Sequence, residues 1–199
     1  MLGSASPRRR ELMTSLGIPL VVFAPDVDES RRPAEPPETY LERVVASKLS
    51  NVLASHAAVR LQAAAPGGVL VADTIVVAPD GGLLGKPSDA EDARTMLARL
   101  EGATHEVRTR FALAPFDSAS NASFGQTVTT RVTFRRLNDE EIDAYVALGE
   151  GRDKAGAYAV QGRGAAFVEG IFGSYTNVVG LPLCEVVVAM RTLGWLRAV

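Results

Sequence analysis

The chain has 199 residues, 47% of them hydrophobic, with a formal net charge of −2 and a pI near 5.8. This length and composition predict one folded domain over residues 1–199 and exclude a disordered chain. The weak negative charge argues against a nucleic-acid partner, which needs a basic surface. No apolar run reaches about 18 residues, so we expect no membrane span, no secretory signal and a cytoplasmic protein. The single Cys184 excludes an internal disulfide, and its apolar neighbours predict an inert core residue.

The first predicted element begins at a serine-rich turn. Ser6 suits the N-cap and Pro7 the first position of a helix that ends near Leu16. Such a helix start presents unpaired N–H groups and the positive end of the helix dipole, which attract phosphate. Arg8 and Arg9 add fork-shaped donors that match phosphate oxygens. A capped helix with solvated arginines is the alternative for this segment alone.

A short strand at Leu20–Phe23 and a long amphipathic helix at Pro37–Ala65 follow. Successive residues of a helix are turned by about 100°, which places Lys48 inside the apolar face of that helix. Its ammonium group either extends outward along the helix surface or enters a cleft to meet an anion.

The run Val69–Val77 is almost continuously apolar and rich in β-branched residues, which predicts a central strand covered on both faces. Asp73 interrupts this run. A buried carboxylate must be neutralised, paired or bound to a metal, so Asp73 is the strongest single candidate for function. The alternative is an aspartate that caps a turn at the end of the strand.

Predicted strands and helices do not alternate strictly in the rest of the chain. Turn residues 79–82 predict a hairpin, Ser88 and Glu91 a capping box, and Asn138 and Glu141 the start of another helix. The further predicted segments are an antiparallel pair at Glu106–Phe116 and Gln126–Arg135, apolar pieces at Ala157–Val160 and Ala165–Ile171, and a helix at Pro182–Leu193. This order favours an α/β fold around a long, partly antiparallel sheet over a doubly wound fold.

Common nucleotide and metal fingerprints are absent from the sequence. The Gly85-Lys86 pair lacks the other residues of a P-loop, and Gly162-Arg163-Gly164 lacks the third glycine of a dinucleotide loop. His56 and His105 are not in zinc-ligand spacing, which argues against a zinc hydrolase.

The unusual residues combine cationic or amide donors with isolated carboxylates. The donors are Arg8, Arg9, Lys48, Lys86 and Gln161, and the carboxylates are Glu29 and Asp73. Cleavage of a phosphoanhydride requires charge neutralisation, a hard divalent cation held by oxygen ligands, and a water molecule that loses a proton. No activated serine, cysteine or histidine is evident, which favours direct attack by water over a covalent intermediate.

Five motifs resemble the Maf family of nucleoside triphosphate pyrophosphatases, in the same order and over nearly the whole chain. They are the segments 4–12 (SASPRRREL), 72–76 (ADTIV), 85–87 (GKP), 153–162 (DKAGAYAVQG) and 173–182 (GSYTNVVGLP). The resemblance implies an α/β fold like that of inosine-triphosphate pyrophosphatases, with a long mixed sheet, flanking helices and two lobes around a central cleft. It also implies a divalent cation, Mg²⁺ or Mn²⁺, a homodimer, and conversion of a nucleotide to its monophosphate and pyrophosphate.

Three positions resemble the branch of this family that acts on dTTP and UTP. That branch has arginine, threonine and glutamine where this chain has Arg8, Thr74 and Gln161. The threonine hydroxyl and glutamine amide suit hydrogen bonding to a uracil or thymine edge. By the same resemblance Asp73 is the proton acceptor. The alternative is that Asp73 is chiefly a metal ligand, with Glu29 sharing the ion. The phosphate-binding residues that the resemblance implies are Ser4, Arg9, Lys48 and Lys86.

Two other functions are consistent with the same residues. The family has been linked to septum formation, so one alternative is a nucleotide-binding regulator of cell division. The other is an enzyme of the same fold that acts on modified purine nucleotides.

Overall fold

A computed structural model describes residues 1–55, 67–116 and 124–196. These residues form seven β-strands, six α-helices and two short 3-10 segments, Ala155–Ala157 and Arg163–Phe167. The strands are β1 (Leu2–Gly3), β2 (Val22–Phe23), β3 (Gly68–Val77), β4 (Leu83–Leu84), β5 (Thr104–Pro115), β6 (Phe124–Phe134) and β7 (Val168–Phe172). The helices are α1 (Pro7–Thr14), α2 (Pro37–Ala54), α3 (Ala90–Leu100), α4 (Asp139–Leu148), α5 (Tyr175–Val179) and α6 (Leu183–Thr192). Within the described ranges, no helix is long and apolar enough to cross a bilayer.

The strands form a mixed sheet in the order β2-β1-β3-β5-β6-β7, with β4 paired to β3. β1 runs parallel to both β2 and β3, whereas β4 is antiparallel to β3 and β7 antiparallel to β6. This arrangement confirms the predicted α/β class with a long, partly antiparallel sheet and flanking helices.

Internal packing divides the chain into two compact units. The first comprises Met1–Asp73, Thr109–Thr127 and Gly180–Val199, and the second Thr74–Arg108 and Val128–Val179. In the first unit, apolar side chains of α2 pack on β3 and β5, with Val52 and Val71 among the least exposed. A Cβ atom at Gly3 would lie 2.7 Å from Val71 and 2.8 Å from Val52, so glycine lets α2 approach β1 closely.

Most predicted boundaries agree with the structure within two residues, but three local predictions fare differently. The predicted helix Pro37–Ala65 is observed to Ala54, and its residues 56–65 lie outside the described ranges. The Ser88–Glu91 capping box is wrong, because Asp89 is the N-cap and its side chain accepts from Asp92 N. Cys184 is exposed near the start of α6, so its prediction as a core residue is also wrong.

The core of the second unit contains a buried histidine. His105 Nε2 lies 2.8 Å from the Tyr158 hydroxyl oxygen, and its ring meets Phe134 edge-on at 4.9 Å between centroids. His105 Nδ1 has no hydrogen-bond partner within the described part of the chain. Burial lowers the pKa of His105 to about 4.

We expect this histidine to make stability depend on pH. As the pH falls, the unfolded chain binds a proton near pH 6.5 and the folded chain only near pH 4, so unfolding is favoured between these values. The free energy of unfolding should fall by about 3 kcal/mol across this window, at about 1.4 kcal/mol per pKa unit. Urea unfolding at several pH values measures the slope. In His105→Gln, whose amide keeps a polar atom near Nε2, the slope should flatten, and parallel slopes in the two proteins would refute the assignment.

Candidate active site

The serine turn at the carboxyl end of β1 forms the first part of the site. Ser6 is the N-cap of α1 as predicted, with its hydroxyl accepting from Arg9 N at 3.4 Å, and Pro7 is the first helical residue. The buried Ser4 hydroxyl accepts from Ser6 N at 3.2 Å. Parallel α/β sheets bind ligands at the carboxyl ends of their strands, and this turn lies at such an end.

Arg9 is buried and fastens this turn to two other segments. Its Nε donates to the carbonyl of Gly180 at 2.7 Å, and one terminal nitrogen donates to the carbonyl of Ala72 at 2.8 Å and to the Ser4 hydroxyl at 3.3 Å. β1 ends at Gly3, opposite Val71 of β3, so the guanidinium group satisfies the next β3 carbonyl. Arg9 therefore fixes the backbone directly before Asp73.

Lys48 joins the two carboxylates that the sequence singled out. It lies on the buried face of α2, and its side chain is only 8% exposed. Its Nζ lies 2.6 Å from Asp73 Oδ1 and 2.7 Å from Glu29 Oε1. The lysine does not extend outward to solvent, and Asp73 lies within β3 rather than at its end. The pairing offsets the cost of burying a carboxylate in an apolar strand.

Side chains of α2 hold the loop that carries Glu29. The Tyr40 hydroxyl donates to the Glu29 carbonyl at 3.0 Å, Arg43 to the Ser30 carbonyl at 2.9 Å, and Asn51 to the Asp26 carbonyl at 3.1 Å. Burial raises the pKa of Tyr40, and the negative charges of Asp73 and Glu29 raise it further. Tyr40 therefore stays a neutral donor beside the two acids.

The donor set of this site fits a hard divalent cation. Glu29 and Asp73 converge on one ammonium group, so they present carboxylate oxygens to a common point. Mg²⁺ typically binds one or two carboxylates and completes its shell with water and substrate phosphates. Among residues 1–55, 67–116 and 124–196, no group of three or more His, Cys, Asp or Glu side chains is arranged to hold a metal. Two carboxylates suit an ion that shares the phosphates of its substrate.

The first unit thus contains five of the predicted site residues in two bonded sets, which meet where Arg9 binds the Ala72 carbonyl next to Asp73. Arg9 bonds to Ser4, and Lys48 bonds to Glu29 and Asp73. Burial lowers the pKa of Arg9, and the negative charges of Asp73 and Glu29 offset this only in part. Arg8 also lies in this unit, half-buried on α1.

The other predicted residues belong to the second unit. Thr74 is half-buried in β3, Lys86 is exposed in the turn after β4, and Gln161 is exposed before the second 3-10 segment. A backbone hydrogen bond of 3.0 Å from Gly156 N to the Gly85 carbonyl holds the turn that carries Lys86. A Cβ atom at Gly156 would lie 3.0 Å from Val76, and its φ of +72° also favours glycine.

Sequence reasoning missed the residues that support the site. Nothing in the pattern of α2 singled out Tyr40, Arg43 or Asn51 as holders of the Glu29 loop. The burial of Arg9 did have a signal, since it lies four residues before the buried Met13 and hence on the same face of α1.

The chain has a mixed sheet, a serine turn at the end of β1 and two acids paired through Lys48. Sequence comparison identifies the class of protein that has these features. The sequence profile described as Maf-like protein matches residues 1–193, and the chain belongs to the Maf family. This confirms the resemblance seen in the five motifs.

Full-length relatives carry a more specific name. Proteins named dTTP/UTP pyrophosphatase are 50% identical over 195 residues in Geobacter metallireducens and 47% identical over 196 residues in Anaeromyxobacter dehalogenans strain 2CP-1. A third, from Hahella chejuensis, is 44% identical over 194 residues. Each match covers 98% of this chain, and between 92% and 95% of the relative.

Proposed function

We propose that this protein hydrolyses dTTP and UTP to the nucleoside monophosphate and pyrophosphate. Membership of the Maf family and the name shared by relatives that are 44%, 47% and 50% identical support the reaction. The structural observation that carries the proposal is the Lys48 ammonium group held between Asp73 and Glu29 at 2.6 and 2.7 Å. Two carboxylates beside one ammonium group suit a substrate that binds together with a cation and carries a polyphosphate.

In the proposed reaction Asp73 accepts a proton from water. The water oxygen forms a bond to the α-phosphorus as the bond from that phosphorus to the bridging oxygen breaks, and pyrophosphate leaves. Lys48 then has a second role, since its ammonium group neutralises phosphate oxygens when it is not paired with the acids. Ser4, Arg9 and Lys86 add a hydroxyl, a guanidinium group and a second ammonium group to phosphate binding.

A divalent cation, Mg²⁺ or Mn²⁺, is part of the proposal. Glu29 and Asp73 would hold it, and when bound it would neutralise charge on the phosphate oxygens as a Lewis acid. Arg9 positions Asp73 for either role, because it fixes the Ala72 carbonyl.

Base recognition is assigned to Thr74 and Gln161, and Arg8 contacts either the base or the phosphates. A hydroxyl and an amide match the alternating carbonyl and N–H groups of a uracil or thymine edge. The family resemblance further supports a homodimer, which light scattering of the purified protein tests. A cytoplasmic location and the lack of a nucleic-acid partner stay predictions from composition.

A nucleotide panel with pyrophosphate detection tests the proposed function. We expect dTTP and UTP to be cleaved faster than CTP, GTP and ITP, only when Mg²⁺ or Mn²⁺ is added, with the monophosphate as co-product. Binding of nucleotide without turnover in either metal would favour a regulatory sensor. Faster cleavage of inosine or methylated guanosine triphosphates would favour the purine-type enzyme.

A further inference from the structure

Gln161 lies at the tip of a tightly constrained loop in the second unit. Gly162, the next residue, has a φ of +86° and a ψ of −149°, a conformation that is costly for any residue but glycine. The 3-10 segment Arg163–Phe167 begins directly after it. The backbone around the predicted base-reading amide is therefore set by local geometry.

The carboxylate of Glu150 binds the far side of this loop. Its Oε2 accepts from Arg163 N and its Oε1 from Gly164 N, both at 3.0 Å. These N–H groups open a helical segment and have no acceptor inside it. Burial raises the pKa of Glu150, but the bonds from Gly164, Arg163 and Tyr145 outweigh it and lower the pKa below its usual range. Glu150 is thus ionised at neutral pH and caps the segment.

Tyr145 ties the near side of the loop to the same carboxylate. Its hydroxyl donates to Glu150 Oε1 and accepts from Ala159 N, both at 3.0 Å. The ring is buried in α4 and meets Phe167 edge-on at 4.8 Å between centroids. A Cβ atom at Gly164 would clash with the Ala159 carbonyl oxygen and lie 2.8 Å from the Tyr145 hydroxyl oxygen, so the two sides of the loop are in close contact.

We propose that Glu150 and Tyr145 are positioning residues that set the nucleobase selectivity of this protein by fixing the Gln161 loop. A glutamine amide has a donor end and an acceptor end, and it discriminates between base edges only if its orientation is fixed. Neither Glu150 nor Tyr145 needs to touch the nucleotide, since both act through the backbone on either side of Gln161. The inference rests on the proposed function, because it takes Gln161 as a base-reading residue.

Glu150→Gln tests the inference with a side chain of the same shape. The variant keeps one acceptor oxygen but turns an NH₂ group toward a backbone N–H. We expect KM for UTP and dTTP to rise and their preference over CTP and ITP to fall about tenfold, with kcat changed little. Hydrogen exchange at Arg163 N and Gly164 N should accelerate in the same variant. Tyr145→Phe, which removes a single hydroxyl, should shift selectivity in the same direction and carries the test if Glu150→Gln does not fold.

Glu140→Gln is the matched control, since Glu140 is exposed on α4 and the substitution makes the same change in charge. It should leave selectivity and exchange at wild-type values. Unchanged selectivity in folded Glu150→Gln and Tyr145→Phe would overturn the inference, and so would an equal loss of kcat on every nucleotide, which indicates a structural role only. The order of preference in the wild-type protein tests the proposed function separately, because the inference concerns the change between variant and wild type.

Discussion

Asp73→Asn should lower kcat for UTP by about 10²- to 10⁴-fold, the usual range for loss of a general base. Asparagine has the size of aspartate and keeps an oxygen that accepts from Lys48, so the fold and the contact to α2 are retained. The asparagine amide, unlike the aspartate carboxylate, cannot accept a proton from water. Steady-state rates of pyrophosphate release and equilibrium binding of UTP measure the two effects, and we expect nucleotide binding to stay measurable.

Asp26→Asn is the control, because it makes the same chemical change at an exposed aspartate of the first unit. Its activity should equal that of the wild-type protein. Full activity of Asp73→Asn would remove Asp73 as the base. Loss of UTP binding with normal cleavage of the bound nucleotide would assign Asp73 to binding alone.

Lys48→Met should have two effects of opposite sign. We expect kcat/KM for UTP to fall by about 10²- to 10³-fold, because the phosphates lose a cation in a partly buried site. Affinity for Mn²⁺ without nucleotide should rise about tenfold, since a positive charge no longer occupies the point between Glu29 and Asp73. Titration of Mn²⁺ followed by electron paramagnetic resonance measures the second effect without any turnover.

Lys48→Arg is the matched control because it retains the charge. It should not bind Mn²⁺ more tightly than the wild-type protein, although its different shape will still reduce activity. A variant that merely unfolds would lose both activity and metal binding, so opposite changes cannot come from misfolding. Weaker Mn²⁺ binding in Lys48→Met would contradict the assignment of Glu29 and Asp73 as metal ligands.

Local chemistry made some features predictable from the sequence. The caps at Ser6 and Asn138 follow from short-range hydrogen bonding, and both are observed. Lys48 and Asp73 could also be singled out from the sequence, because a charged residue within an apolar pattern must find a partner. Each residue suggested that a partner existed, and the structure shows that they pair with each other.

Features that depend on contacts distant in sequence were not predictable. Arg9 pairs with Ala72 and Gly180, which lie 63 and 171 positions further along the chain, and no local pattern indicates either partner. The edge strand β7 was noticed only as part of the apolar piece Ala165–Ile171, and the short helix α5 was missed, because glycine-rich sequence lacks the periodicity that marks an element. Glu150 was missed because two of its three partners are backbone N–H groups, which leave no mark on composition, and the third is the Tyr145 hydroxyl.

Tracing the oxygen of water through one turnover tests the central claim most directly. The wild-type protein, in excess over UTP and with Mg²⁺ present, is allowed to react in H₂¹⁸O, and both products are analysed by mass spectrometry. If water deprotonated at Asp73 attacks the α-phosphorus, one ¹⁸O atom appears in UMP and none in pyrophosphate. An ¹⁸O atom in pyrophosphate instead would contradict this account, because water would then have attacked the β-phosphorus.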